Sequence, residues 1–337
     1  MTARIAIAAA LAGLVFASAP ALGAKKKAPE KAQEKAVQAP AEVGADADLA
    51  YAAFQQGHYL RAFAEAAKRA KDADPAAMTL LGELYADGLG VPRDDKRAAE
   101  WYRLAAERGD PAALFALAMF RLSGRAGERD RQASAKLMAL AAERGHIQAA
   151  YNLALLYLEG QLFSQDFARA AELFRVAADA GSPEAQYALA TMYKEGQGVK
   201  RDPQEAARLM GAAARADNID AQVEYGIMLF NGSGLERNPE EAARFLMEAA
   251  RRGSPIAQNR VAFMHAIGRG LKRDPVQAAR WHLIARAGGN SDPEMEQVLK
   301  TLTKEQREEA EKAARPWLDA LKETQTAADT SSVLTSP

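Results

Sequence analysis

The chain has 337 residues and no cysteine, and its 44 Lys and Arg residues balance its 44 Asp and Glu residues. The lack of cysteine excludes a disulfide scaffold, a zinc-thiolate site, an Fe–S protein and a cysteine nucleophile. With no positive charge excess to release counterions from phosphate, the composition also argues against a nucleic-acid-binding protein. Alanine provides 79 residues, close to half of the hydrophobic fraction of 49%. Because alanine favours helices and lets them approach closely, we expect an all-α architecture of stacked helices.

The first 23 residues have the features of a secretory signal peptide. A short start with one positive charge at Arg4 precedes an apolar run of small residues that ends near Ala21 and Gly23. Such a segment is removed on export. The alternative is a membrane anchor, since the run is about long enough to span a bilayer, but Pro20 interrupts it. We therefore predict cleavage, no lipid-anchor cysteine, no stable membrane span afterwards, and a periplasmic or secreted protein.

Two further segments have too few large apolar residues to fold. Residues 24–46 are rich in Lys, Ala and Pro, and residues 323–337 are dominated by Thr, Ser and Ala. Segments of this composition cannot bury enough surface to offset the entropy of ordering. We predict a disordered tether and a disordered tail, with the folded region between them. The Lys25–Lys35 region of the tether is a candidate for weak contact with an acidic surface.

A 36-residue period occupies residues 75–290, which hold six copies without an insertion. Three kinds of position recur at this spacing: an alanine early in a first helix, a loop glycine, and an Asp or Asn before a second helix. The series are Ala77, Ala113, Ala149, Ala185, Ala221 and Ala257; Gly88, Gly124, Gly160, Gly196, Gly232 and Gly268; and Asp94, Asp130, Asp166, Asp202, Asn238 and Asp274.

Each period predicts a helix-turn-helix unit. In the first copy, Asp74 precedes Pro75 as an N-cap precedes a proline at the first helical position, and Gly88 ends the helix in the left-handed conformation. The Asp or Asn series then caps the second helix. Glu205, Glu241 and Gln277 stand three residues after their caps, as in a capping box. We interpret the series as caps rather than metal ligands, because each member lies in its own repeat.

The repeated residues resemble a known family. The first copy reads Ala77-x3-Leu81-Gly82-x2-Tyr85-x2-Gly88-x-Gly90-Val91 and then Asp94-x3-Ala98-x2-Trp101-Tyr102-x2-Ala105-Ala106-x2-Gly109. This pattern is similar to the SEL-one-like repeat, a tetratricopeptide-like family. The resemblance covers residues 75–290 and implies a right-handed superhelical α/α solenoid. Repeats two and three depart from the pattern, with Arg121 for Tyr85 and Ala126 and Leu162 for the second loop glycine, so we expect different loops there.

Capping units are predicted at both ends of the array, since solenoids need polar ends. Residues 47–74 contain Gly57-His58-Tyr59-x2-Ala62, which resembles a tetratricopeptide pattern, and form the N-terminal capping unit. Residues 291–322 predict C-terminal capping helices, the last of which ends at about Leu321.

The sequence offers little catalytic chemistry. Its four histidines are His58, His146, His265 and His282. His265 and His282 stand where the family has tyrosine, and we interpret them as packing residues rather than a metal or acid–base pair. A nucleophile elbow and a dinucleotide fingerprint are both lacking. We predict no enzyme activity, no cofactor and no metal site.

The first helices carry large apolar residues at positions one turn apart. If these helices line the concave surface, as in tetratricopeptide-like solenoids, those side chains point into a groove, and exposed apolar surface usually marks a partner site. The alternative is that superhelical coiling or the terminal helices cover them. We call the following the predicted groove residues: Phe115, Met119, Leu122, Tyr151, Leu155, Leu158, Tyr187, Val223, Ile227, Phe230 and Phe263.

The resemblance implies a protein–protein interaction scaffold in the bacterial cell envelope, with another exported or envelope protein held in the groove as a helix or extended segment. A periplasmic regulator of a sensor kinase, or of exopolysaccharide production, is the alternative. A cell-wall or β-lactam-related hydrolase is disfavoured, because the relatives linked to β-lactams depend on disulfides and the chain has no Ser-x-x-Lys motif.

Overall fold

The computed structural model describes residues 48–125 and 127–334, with side chains as far as Glu323, and within them it holds α-helices and no β-strand. The predicted signal peptide and tether at residues 1–46 lie outside the described residues, as do residues 335–337 of the predicted tail. The all-α class predicted from the alanine content and the repeat is confirmed.

The chain divides into two compact units, the first ending at Gln165 and the second beginning at Asp166. In the described part of the first unit, each helix packs against the next along the chain. Its helices are α1 (Leu49–Gln55), α2 (Tyr59–Lys71), α3 (Pro75–Asp87), α4 (Asp95–Glu107), α5 (Pro111–Ser123), α6 (Arg131–Glu143) and α7 (Ile147–Glu159).

The second unit continues with seven helices of 13 residues, each packed against the next along the chain, and ends with helices of 9 and 31 residues that both pack against the last of the seven. Its helices are α8 (Phe167–Asp179), α9 (Pro183–Glu195), α10 (Pro203–Arg215), α11 (Ile219–Asn231), α12 (Pro239–Arg251), α13 (Pro255–Ile267), α14 (Pro275–Ala287), α15 (Pro293–Thr301) and α16 (Lys304–Leu334). Repeat five consists of α11 and α12, and repeat six of α13 and α14.

The last helix, α16, packs against α14, where the rings of Trp317 and Trp281 lie 6.0 Å apart. Its backbone is helical to Leu334, past the end predicted near Leu321. Because the stretch beyond Leu321 has no glycine or proline before its final residue and begins with good helix formers, nothing in it stops the helix. The backbone of residues 323–334 is therefore helical, where the sequence analysis expected a disordered tail.

The Asp and Asn residues before the second helices cap them, as predicted. The Asp94 carboxylate accepts the Lys96 and Arg97 backbone N–H groups at 3.1 and 3.0 Å. The equivalent bond is present at each of the other five positions, Asp130, Asp166, Asp202, Asn238 and Asp274.

The reciprocal half of the predicted capping box is not formed at Asp202. The Asp202 N–H donates instead to the Tyr193 carbonyl at 3.0 Å, in the first helix of the same repeat. Glu205 pairs with Arg208 at 2.6 Å. A bond across the loop has taken the N–H that a capping-box glutamate would accept, so Glu205 is free to form an ion pair along the helix.

The second helices end on a left-handed residue. Gly109 has a φ of 89°, and Asp217 adopts 62° at the equivalent place in repeat four. Repeat four has the Asp217-Asn218 pair here, and asparagine is the usual substitute for glycine in the left-handed conformation. In the structure Asp217 takes the left-handed conformation, while Asn218 caps α11 by accepting the Ala221 N–H at 2.9 Å.

The second loop glycine brings successive repeats into backbone contact. Gly234 has a φ of 76°, and a Cβ there would overlap the carbonyl oxygen of Pro203 at the start of α10. Gly270 approaches Pro239 in the same way. Leu162 stands at this position in repeat three and does not share the left-handed conformation, which among the described non-glycine residues only Ala73 and Asp217 adopt. Its loop therefore differs, as the sequence indicates.

We expect Gly234→Ala to destabilise the second unit more than Gly253→Ala. Both glycines have a positive φ, but a Cβ on Gly253 meets nothing within 4 Å. Gly253→Ala should cost about 1–2 kcal/mol from conformation alone, and Gly234→Ala a further ~1–3 kcal/mol from overpacking. Urea unfolding followed by circular dichroism measures both. Equal losses for the two variants would show that the close backbone contact does not matter.

Candidate functional site

The structure divides the predicted groove residues into two groups. Seven are half-buried, so part of each side chain reaches the surface: Phe115, Met119, Leu122, Tyr187, Ile227, Phe230 and Phe263. Four are buried, each less than 7% exposed: Tyr151, Leu155, Leu158 and Val223.

The four buried side chains are not available to a partner, which corrects their assignment to a groove surface. Helix α7 contributes Tyr151, Leu155 and Leu158, and nine of its 13 residues are buried, so it has no free apolar face. Val223 belongs to the core of the second unit, together with Leu246 and Val261. Helical periodicity predicts that these side chains share one face of the helix. Their burial depends on which other residues pack against that face.

A contact between repeats occupies part of the remaining surface. The residue five positions into a first helix meets the cap of the next first helix, 31 residues later. Thr79 donates from its hydroxyl to an Asp110 carboxylate oxygen at 3.1 Å, and the Phe115 ring stacks on His146 with centroids 4.5 Å apart. The Phe115 ring is therefore partly covered by a contact within the first unit.

Tyr187 and its surroundings form a polar stretch in repeat four. Burial, followed by the negative charges of Asp220 and Glu224, raises the pKa of Tyr187 to about 12. Lys194 pairs with Glu224 at 3.0 Å, linking α9 to α11. The surface around Tyr187 on α9 therefore holds paired charges and is not an apolar groove.

Three predicted groove residues come together around one cavity of about 210 Å³ between α11 and α13. Ile227, Phe230 and Phe263 line it, and the rings of Phe230 and Phe263 meet edge to face with centroids 6.2 Å apart. Leu246 and Met264, each 1% exposed, form the buried part of its wall. The cavity is thus an apolar recess that opens to the surface between repeats five and six.

Two arginines border this recess. Arg260 lines it and is exposed, and the Arg269 guanidinium carbon lies 4.9 Å from the Phe230 ring centroid. Neither forms a salt bridge with the residues that the structure describes. Neither arginine is among the predicted groove residues, because that prediction rests on the apolar residues of the first helices only. The available signals were a charged residue in the middle of α13 and a guanidinium one residue after the loop glycine Gly268.

The first unit has a larger cleft, of about 300 Å³, between α4 and α5. Its lining includes Lys96, Arg103 and Arg121 as well as Glu100 and Glu128. None of the predicted groove residues contributes to it. Leu117 and Phe120 give this cleft an apolar part, but charges of both signs surround it. We take the recess between α11 and α13 as the candidate site, because three of the predicted groove residues line it.

His282 and His146 form hydrogen bonds within the fold. His282 is 1% exposed, with Nε2 3.0 Å from the Glu296 carboxylate and Nδ1 3.3 Å from Asn259 Oδ1. His146 accepts the Ala149 N–H at Nδ1, and burial lowers its pKa. Among residues 48–125 and 127–334, no cluster of three His, Cys, Asp or Glu side chains is placed to hold a metal ion.

The Glu83 carboxyl group on α3 lies in a strongly perturbed environment. Desolvation, followed by the negative charges of Asp87 and Asp110, raises its pKa to about 7. At neutral pH the group is partly protonated. The surroundings of Glu83 on α3 are therefore polar, in contrast to the apolar recess of the second unit.

The repeat pattern matches a model of the Sel1 repeat over six consecutive segments, residues 75–110, 111–146, 147–182, 183–218, 219–254 and 255–290. The chain belongs to the Sel1 repeat family. Proteins of this family generally act as protein-interaction scaffolds and are generally non-catalytic. No curated protein sequence matches this chain.

Solved structures share the Sel1 fold. The chain is similar to c5321, a protective antigen present in uropathogenic Escherichia coli, with a TM-score of 0.65 and 24% identity over 80% of this chain. It spans only 61% of that antigen. A Sel1 repeat protein from Oxalobacter formigenes has a TM-score of 0.59 and 26% identity, covering 71% of this Sel1 chain and 97% of its own. Within the described residues, none of helices α1–α16 is long and apolar enough to cross a bilayer.

We expect the folded state of Glu83→Gln to lose less stability than that of the wild type as the pH rises. The folded-state pKa of Glu83, about 7, lies above its ordinary value of 4.5. Ionisation between these values therefore destabilises the folded state relative to the unfolded chain, and the penalty is complete above pH 7. Thermal unfolding at pH 5 and pH 8 measures the difference between wild type and variant. Glu143→Gln, at an exposed carboxylate in the same unit, is the control, and an unchanged pH dependence in Glu83→Gln would contradict the assignment.

Proposed function

We propose that this Sel1 repeat protein is a non-catalytic scaffold of the bacterial cell envelope that binds a segment of another exported protein. The observation that supports this is the apolar recess between α11 and α13, lined by Ile227, Phe230 and Phe263. These side chains are half-buried, so the core of the second unit does not cover them completely. A partly exposed aromatic pair around an open cavity is the kind of surface that partner binding desolvates.

The envelope location rests on the amino-terminal sequence. Residues 1–23 have the charged start, apolar run and small-residue end of a signal peptide. Cleavage would release the repeats into the periplasm or the medium, with the Lys25–Lys35 region free to contact an acidic surface. The partner is then an exported protein, because both must meet in the same compartment.

The identity of the captured protein separates the two roles that the sequence left open. A sensor-kinase outer domain would assign the chain as a regulator of signalling. An assembly enzyme would assign it as a scaffold. The same recess serves either role, since both require a segment of the partner to be held on the repeats.

We expect a photo-crosslinking residue at position 230 to capture a partner in the native envelope. p-Benzoylphenylalanine in place of Phe230 puts the reactive ketone at the recess, where a bound segment must pass. The matched control places it at Val176, which is 53% exposed on the second helix of repeat three. Crosslinked products are identified by mass spectrometry.

The captured protein is then purified and its affinity measured. Phe263→Ala should weaken binding by at least about tenfold, as expected for an aromatic hot-spot residue. Capture at position 176 equal to that at position 230, or an affinity that Phe263→Ala leaves unchanged, would contradict a partner site in the recess.

A further inference from the structure

We infer that the recess between repeats five and six selects a partner segment in which a large apolar side chain lies next to one or more carboxylates. This inference rests on the proposed function and names the chemistry of its partner. It combines the size of the recess with the position of two arginines, Arg260 and Arg269. Residues at the equivalent positions of other repeats form ion pairs.

The recess has the size of one side chain. Its volume is about 210 Å³, and a protein cavity of about 150 Å³ is enough to hold benzene. A phenylalanine, leucine or methionine of the partner therefore fits between Ile227, Phe230 and Phe263, whereas a long acyl chain does not. One inserted side chain would cover the exposed edges of both rings.

Arg269 lacks the carboxylate partner that the equivalent arginine of repeat two has. In repeat two, Arg125 occupies the same repeat position and pairs with Asp95 at 2.6 Å while donating to the Ala86 carbonyl at 2.7 Å. At the place of Asp95, repeat five has Pro239. The guanidinium of Arg269 consequently lies over Phe230 with no carboxylate partner among the described residues.

Arg260 also lacks the ion pair that the equivalent residue of the previous repeat forms. One repeat earlier, Glu224 on α11 pairs with Lys194 on α9 at 3.0 Å. The equivalent residues in repeat six and repeat five are Arg260 and Phe230. The positions of that ion pair are thus held by an arginine and a phenylalanine, which both line the recess, and Arg260 forms no salt bridge within the described part of the chain.

Two uncompensated guanidinium groups beside an apolar recess favour an anionic partner. A carboxylate bound there is partly shielded from water by the inserted side chain, which strengthens a charge-assisted hydrogen bond. A lysine or arginine of the partner at the same place would be repelled. The pair of arginines therefore contributes specificity, while the recess contributes affinity.

The test is a selection of random 12-residue displayed peptides on the full chain. Wild type should enrich peptides with a large apolar residue beside Asp or Glu. The double charge reversal Arg260→Glu/Arg269→Glu should enrich Lys or Arg instead. Arg244→Glu/Arg251→Glu, two exposed arginines on α12, is the matched control and should keep the wild-type preference.

The affinity of the best acidic peptide is then measured by fluorescence anisotropy. It should fall about tenfold in the recess charge reversal, fall with added salt, and stay unchanged in the α12 control. Because Arg260 is exposed, its substitution leaves the core intact, and circular dichroism verifies the fold.

Three results would overturn the inference in distinguishable ways. Neutral or basic peptides that lose binding in Phe230→Ala would leave the recess as a partner site and remove its preference for acidic partners. Selection of no peptide that Phe230→Ala weakens would remove both the preference and the proposed function. Binding of free fatty-acid anions in place of peptides would also contradict the inference.

Discussion

The arrangement within the second unit depends on a backbone-to-backbone contact between successive repeats. Gly234 meets Pro203, and Gly270 meets Pro239, at places where no Cβ can be accommodated. Because these contacts involve main-chain atoms, the distance between adjacent repeats does not vary with the side chains around them. The spacing of α11 and α13, and with it the width of the recess, follows from this constraint.

With this spacing fixed, the side chains between successive first helices decide which contacts form at each interface. Thr79 reaches the next cap and closes the gap with a hydrogen bond. Lys194 and Glu224 close theirs with an ion pair. At Phe230 the side chain is large and apolar but does not fill the space, and a recess stays open. Binding capacity in such an array comes from positions where one repeat departs from its neighbours.

The local features were predictable because they depend on neighbouring residues only. Caps such as Asp94, left-handed glycines such as Gly88 and the lengths of the repeat helices follow from sequence spacing. The capping box at Asp202 failed for the opposite reason. Its N–H is used by the Tyr193 carbonyl across the loop, and a local motif contains no information about that competing acceptor.

The sequence by itself determined the helical class, the six repeats, their caps and the set of apolar residues on the first helices. Only the tertiary structure decided which of those residues reach the surface. Leu155 and Phe263 occupy equivalent kinds of inner position, yet Leu155 is 4% exposed and Phe263 lines an open recess. The physical reason is that the position of a residue in the repeat specifies on which face of its helix the side chain lies. The exposure of that side chain depends on the other side chains that pack against it.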